Sequence, residues 1–431
     1  MPTLQGFNPL WLRDRDNKDQ LWGVKLPDGR EFAMDSLVSG AGNMNAAAAF
    51  IQPSVNSSAQ TVGAGASWSD DLQFSFQNLP EYLWIAPVWV NYDLTNPLTI
   101  SAKVAAAGAD KAAANGLTWA GVTFGGASSY TLPVATAGVA RNIPSFVVGD
   151  PIQVSSVARS DSGASRLARV ITTVASSGGS RTIQFHAQTS GGMTALMADS
   201  EANGFQVAGQ FVNGGDWVTT TPSSSPVSNA NTPSLCVGVL VGVGSRALVG
   251  AVFGDSRAAG AGSTSGAISW PHRVNFKGAS VTLLNLGDGG EQLVDSIAKM
   301  KAFVTAFRPA FVVLNAPSPN DAVVNTAAGT LASWGRLMAA AEWCRQRGVL
   351  CYVLTPLPAG SYYAQALGIF TRMQAIPSNT QLRFVDVTTP SQSAPGSYII
   401  RADWDSGDGT HYNDAGYRGI RDIVLADMLK L

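Results

Sequence analysis

Apolar and polar positions follow two different rhythms along this chain. From residue 247 onward, continuous apolar runs recur at 247–253 (ALVGAVF), 280–286 (SVTLLNL), 310–315 (AFVVLN), 349–354 (VLCYVL) and 382–387 (LRFVDV). A strand covered on both faces is apolar along its length rather than at alternate positions. Between these runs, apolar residues return at helical spacing over about 291–307, 326–347, 361–376 and 413–430. The regular exchange of strand and helix predicts an α/β domain over 247–431. Its parallel sheet would lie between layers of helices, with reactive groups at the carboxyl ends of the strands.

Upstream the rhythm is shorter. Runs such as FSFQ, YLWIAPVWV, LTISAKVA, RLARVITTVA and FQVAGQFV are set apart by Gly, Pro, Asn and Ser. This spacing predicts a β-rich domain, sandwich or jelly-roll-like, over 67–246. Short helical insertions are expected around Asp110 and Met193, and the run 219–234 (TTTPSSSPVSNANTPS) has the composition of a linker or exposed loop. Residues 1–66 read as an N-terminal arm or small module. Within them Asp28-Gly29 predicts a hairpin turn, and the Ala-, Ser- and Gly-rich stretch from about Asn43 predicts a linker.

Composition narrows the partners. Only 13 % of residues are charged, and 28 basic against 29 acidic residues leave a formal net charge of -1. Such a surface has no field to gather nucleic acid or an anionic membrane, so neither is expected as a partner. No stretch reaches the ~20 apolar residues of a membrane span, and the N-terminal sequence lacks the basic start and apolar run of an export signal. A soluble chain is expected. The three cysteines, Cys236, Cys344 and Cys351, lack metal-ligand spacing and read as small apolar core thiols.

The candidate chemistry is concentrated after residue 247. Gly254-Asp255-Ser256-Arg257 stands at the end of the first α/β strand, which places Ser256 on the turn from strand to helix. A serine hydroxyl becomes a nucleophile only with a base in hydrogen-bond reach, itself held by a third group. Of the three histidines, His186 lies in a β-run and His272 follows Trp270-Pro271. His411, in contrast, stands three residues after Asp408, just before the last helix. A carboxylate at that spacing can turn back onto Nδ1 and leave Nε2 facing the serine. Asp255 reads as a loop brace, and Arg257 as a surface ion pair or a contact to an anionic part of the substrate. Asp403, Asp405 and Asp408 do not keep the ligand order of a calcium loop, so no metal is expected. The aromatics of the β-rich region, among them Trp84, Trp89, Trp119 and Trp217, read mainly as core residues that could otherwise stack on sugar rings.

Four motifs in this order resemble the SGNH, or GDSL-type, hydrolase family. Gly254-Asp255-Ser256 resembles its nucleophile motif, and Asp408-Gly409-Thr410-His411 its terminal D-x-x-H segment. Asn285-Leu286-Gly287-Asp288-Gly289-Gly290 is similar to the glycine motif after the second strand. Ser318-Pro319-Asn320-Asp321 falls where the family carries G-x-N-D, with Ser318 departing from the glycine. The resemblance covers about 250–431 and does not extend to the β-rich region. It implies a three-layer α/β/α fold and a catalytic set of Ser256, His411 and Asp408. It also implies an oxyanion hole formed by the N–H groups of Ser256 and Gly290 and by the side chain of Asn320, with no cofactor required.

Beside an uncharged β-rich domain, the resemblance implies an esterase that removes acetyl or other small acyl groups from a carbohydrate or polysaccharide. Members of the family that deacetylate glycans are often joined to β-sandwiches. Phage tail proteins of this kind lack signal peptides, which fits a virion-associated or otherwise exported enzyme. A lipase, thioesterase or general carboxylesterase is the alternative within the same chemistry. A structural or adhesive protein retaining a residual hydrolase scaffold is the alternative outside it.

Overall fold

The computed structural model describes residues 8–13, 19–25, 31–33, 46–49, 57–62, 67–76, 82–107, 117–153, 167–175, 181–187, 205–213, 215–220, 233–243, 248–264, 269–276, 281–307, 309–315, 317–360, 363–376 and 382–428. In the C-terminal domain five strands run parallel: β1 (Leu248–Phe253), β2 (Val281–Asn285), β3 (Phe311–Asn315), β4 (Leu350–Leu354) and β5 (Leu382–Val385). Their order across the sheet is β2-β1-β3-β4-β5. The chain therefore steps outward from β1 to β2 and then back across β1 to β3. That reversal opens a crevice at the carboxyl ends of β1 and β3.

Among the described residues, seven α-helices accompany the sheet: α1 (Ser256–Ala259), α2 (Trp270–Phe276), α3 (Leu293–Ala306), α4 (Ala327–Arg345), α5 (Tyr363–Gln374), α6 (Thr388–Ser391) and α7 (Asp414–Met428). Alternate strand residues serve opposite layers. Ala251, Phe253, Val312, Leu314 and Val353 pack with α3, α4 and α5, while Val252, Leu283, Val313 and Leu354 pack with α2 and α7. Burial on both sides is the reason β3 (FVVL before Asn315) is apolar along its length, whereas the edge strand β5, only partly buried, admits Arg383. Each buried Val, Leu or Phe of these strands contributes roughly 1.5–3 kcal/mol relative to exposure. The three cysteines are buried and none forms a disulfide, as expected of core thiols.

Among the described residues, the strands of the β-rich region pair antiparallel. One sheet is built on Ser129–Leu132, Leu98–Ala107, Leu167–Ala175, Ser67–Phe76 and Phe205–Asn213, in that order. A second runs Ser145–Val148, Tyr82–Asn91, Cys236–Val243, Ala46–Ala49. The two touch where the Trp89 indole N–H of one donates to Thr172 Oγ1 of the other at 2.9 Å. Trp84 and Trp89 are buried, as their apolar surroundings predicted. The second sheet also shares a core with the α/β domain: Trp84, Val88, Val90, Phe146 and Leu240 belong to one apolar cluster with Met300, Phe303 and Phe307 of α3 and its end. Phe146 meets Phe303 edge-on, ring centroids 5.2 Å apart.

The N-terminal segment differs from the linker expected of it. Ala46–Ala49 pairs with Cys236–Val243, and Ser57–Val62 pairs with Arg181–Ala187. Strand pairing is made by the backbone, so small side chains that signal weak packing do not prevent it. Asp19–Lys25 and Glu31–Ala33 pair antiparallel across the expected Asp28-Gly29 turn, which itself lies outside the described residues. The helical insertions around Asp110 and Met193 lie outside them too, as does most of the 219–234 run. Among the described residues, no helix is long and apolar enough to cross a membrane.

Candidate active site

β1 ends at Phe253, and Gly254 carries the chain over Asn315 at the end of β3, too close for a Cβ at position 254. Asp255 then caps α1, its carboxylate accepting the Arg257 N–H at 2.9 Å. This puts Ser256 at the first helical position, at the mouth of the crevice and partly exposed. Asp255 itself is fully buried. Burial opposes its charge, but the Arg257 guanidinium, together with hydrogen bonds from Arg257 and the Ser318 hydroxyl, outweighs it and holds the carboxyl below its ordinary range.

The segment before α7 brings His411 to the serine. Asp408 Oδ1 accepts the backbone N–H groups of Thr410 and His411 at 2.9 and 2.8 Å, which winds the chain back so that Asp408 Oδ2 meets His411 Nδ1 at 2.6 Å. His411 Nε2 then stands 2.9 Å from Ser256 Oγ. Partial burial opposes ionisation of Asp408. The hydrogen bonds from the imidazole and the two backbone N–H groups overcome it and hold the carboxyl well below the usual range, so Asp408 is a carboxylate at neutral pH. Gly262, at φ +88°, lets the loop after α1 pass under this segment, since a Cβ there would lie 2.7 Å from His411 Cβ. The Tyr417 hydroxyl of α7 donates to Ala261 O at 2.6 Å and closes the same junction.

Opposite the histidine lies the glycine turn. Asn285 Nδ2 donates to Ala258 O at 2.8 Å and its Oδ1 accepts the Gly287 N–H at 3.0 Å, fastening the turn to α1. Asp288 to Glu291 closes through Glu291 N–H to Asp288 O at 3.2 Å, with Gly290 at φ +79°. A positive φ at the third residue is the mark of a type II turn. Beneath it, the buried Lys299 ammonium meets Glu291 at 2.8 Å and donates to Leu286 O at 3.2 Å. Burial pushes the Glu291 carboxyl up to about 8, with the Lys299 charge opposing the shift.

Asn320 is brought to the same side. Its Nδ2 lies 3.0 Å from Glu291 O and 2.9 Å from Ser318 Oγ, so both amide hydrogens have acceptors within the protein. Asp321, next in the motif, accepts the Leu293 and Ser318 N–H groups and thereby ties this loop to the start of α3. Ser318, where the resemblance leads one to expect glycine, is buried; its hydroxyl accepts from Asn320 and donates to Asp255.

Other sequence expectations fare differently. Arg257 is neither a surface ion pair nor placed to touch substrate. It is 1 % exposed and pairs with Asp255 at 2.9 Å, donating also to Leu357 O at 2.8 Å and Pro317 O at 3.1 Å. A guanidinium offers five donors in a plane, and here three strand-end loops accept from them, which residue spacing cannot disclose. His272 is buried, its Nδ1 accepting the Ser269 N–H at 3.2 Å; His186 pairs with Ser234 in the β-rich region. One residue at the site carried no sequence signal. Arg141, from the β-rich domain, reaches the glycine turn and donates through Nε to Gly289 O at 2.6 Å.

No family model matches the chain, and no curated protein matches it. Among solved structures it is similar to a GDSL-like lipase from Bacteroides thetaiotaomicron, at 19 % identity over 42 % of this chain and 88 % of that one, with a TM-score of 0.35. It is also similar to an acetyl xylan esterase, at 17 % identity over 42 % and 99 % with a TM-score of 0.33. A third similarity is to a psychrotrophic esterase from a Pseudoalteromonas species, at 14 % identity over 42 % and 97 % with a TM-score of 0.34. The α/β/α layering and parallel sheet are those expected of an SGNH-type domain.

Removing one member of a buried ion pair leaves the other uncompensated, at a cost of about 3–5 kcal/mol. Arg257→Met is therefore expected to lose about that much stability in urea denaturation, with Asp255 stranded. A loss below about 1 kcal/mol would show that Asp255 finds another partner or a proton.

Proposed function

We propose that the chain is a serine esterase in which Ser256 is acylated. The observation that carries this reading is the continuous relay from Ser256 Oγ through His411 to Asp408, with contacts of 2.9 and 2.6 Å at the carboxyl end of β1. Ser256 Oγ attacks the ester carbonyl and passes its proton to His411 Nε2, while Asp408 stabilises the imidazolium through Nδ1–H. The tetrahedral oxyanion faces the N–H groups of Ser256 and Gly290 and the Asn320 amide; one such donor is worth roughly 3–4 kcal/mol in the transition state. Collapse expels the alcohol, which takes the proton from His411. Water then attacks the acyl-serine, gives its proton to His411, and the acid leaves as Ser256 regains a proton.

The substrate class we propose is an acetylated or otherwise short-acyl carbohydrate. The β-rich, sparsely charged domain beside the cleft supports it, because a polar uncharged surface suits a neutral glycan. Ser256→Ala is expected to abolish hydrolysis of 4-nitrophenyl acetate and labelling by a fluorophosphonate while leaving the melting temperature unchanged. Persisting activity would overturn Ser256 as nucleophile. On wild-type protein, acetyl esters and O-acetylated polysaccharide should be turned over faster than octanoyl esters; the reverse order would favour a lipase.

The Ser318 hydroxyl competes with the oxyanion for the Asn320 amide. Ser318→Ala is expected to raise kcat on 4-nitrophenyl acetate about two- to tenfold, the equivalent of one ordinary hydrogen bond, and to cost about 1–3 kcal/mol of stability as Asp255 loses a donor. Steady-state kinetics and urea denaturation check both effects. A fall in kcat would instead make the hydroxyl a support for Asn320.

A further inference from the structure

Arg141 belongs to a loop of the β-rich domain that is held from outside that domain. The carboxylate of Asp295, buried in the first turn of α3, accepts three consecutive backbone N–H groups of the loop: Val139 at 2.7 Å, Ala140 at 2.8 Å and Arg141 at 3.2 Å. The approach is close enough to exclude any side chain at Gly138, where a Cβ would lie 2.0 Å from Arg141 O and 2.6 Å from Asp295 Oδ1. So fixed, the Arg141 side chain lies against Gly290, its Nη2 2.7 Å from where a Cβ would stand. Its Nε donates to Gly289 O at 2.6 Å, and Asp288 Oδ1 is 3.9 Å away.

The peptide unit joining Gly289 to Gly290 carries both the carbonyl that Arg141 grips and the N–H assigned to the oxyanion. In a planar trans peptide these two groups point in opposite directions. This unit is also the central peptide of the 288–291 turn, the one whose 180° flip interconverts type II and type I turns. Between two glycines nothing steric opposes the flip, and it would turn the Gly290 N–H away from the cleft. A charged donor on the carbonyl selects one orientation, and by polarising the peptide it strengthens the N–H as a donor.

We propose that Arg141 is a positioning residue that sets the oxyanion-binding peptide of Gly289-Gly290, so that the β-rich domain completes the catalytic centre of the α/β domain. The inference rests on the serine-esterase reading above. It makes the β-rich domain necessary for small esters and not only for polymers.

The full-length chain and its Arg141→Ala, Arg141→Lys, Gly138→Val and Ser256→Ala variants are compared on 4-nitrophenyl acetate and on the carboxylate-bearing mono-4-nitrophenyl succinate, with melting temperature as the folding control. Loss of a single oxyanion donor costs about 10²–10³ in kcat. Arg141→Ala, which only frees the donor to turn away, is expected to lower kcat at least about tenfold on both esters with KM within twofold. Arg141→Lys should recover part of the loss, and Gly138→Val, which displaces the loop without removing the guanidinium, should reproduce it. Unchanged kcat in folded Arg141→Ala overturns the proposal. So does a rise in KM confined to the succinate ester, which would make Arg141 a binder of anionic substrate. Activity of the wild type that survives in Ser256→Ala overturns the esterase reading, and this inference with it; a silent Ser256→Ala beside fully active Arg141 variants overturns this inference alone.

Discussion

The cleft is organised around a carboxylate that has no access to water. Asp255 is fully buried just after the end of β1, and an unpaired charge there would be prohibitive. Satisfying it draws in Arg257, whose remaining donors reach Leu357 O after β4 and Pro317 O after β3. It also draws in the Ser318 hydroxyl, which in turn accepts from Asn320. One desolvated charge thus ties the loops after β1, β3 and β4 to each other. Ser256, next in sequence to Asp255, is fixed in the same frame. The demand for hydrogen bonds around its buried neighbour gives the serine a rigid setting.

A second buried charge does similar work between the domains. Asp295 on α3 holds the 139–141 backbone, while Lys299, one turn further along the same helix, supports the glycine turn from below. The same helix and the residue after it present Met300, Phe303 and Phe307 to the core shared with the second β-sheet. α3 is therefore apolar toward the β-rich domain along part of its length and polar toward the cleft at its start. The two regions meet through packed side chains as well as through a polar seam at the glycine turn.

The α/β half was legible because its signals are local. A strand buried on both faces must be apolar throughout, and each expected run from 247–253 to 382–387 contains an observed strand. The Asp408 to His411 spacing specifies a turn that closes on itself, and short-range hydrogen bonds from Thr410 and His411 realise it. The stretch from Asn43 was misleading for the opposite reason: composition reports how well side chains pack, whereas Ala46–Ala49 is held through its backbone by a strand nearly two hundred residues away.

By itself, then, the sequence determined the layered α/β domain, the order of its elements and the identity of the serine, histidine and aspartate that the fold brings together. Those features depend on periodicity and on residues close in the chain. Only the tertiary structure decided that Arg257 faces inward, that Ser318 bridges Asn320 to Asp255, and that Arg141 reaches the Gly289 carbonyl across a gap of 148 positions. Each of these is a long polar side chain or hydroxyl whose partner is a distant backbone group or buried charge. A carbonyl has no residue type, so no pattern in the sequence can announce which one a guanidinium will find.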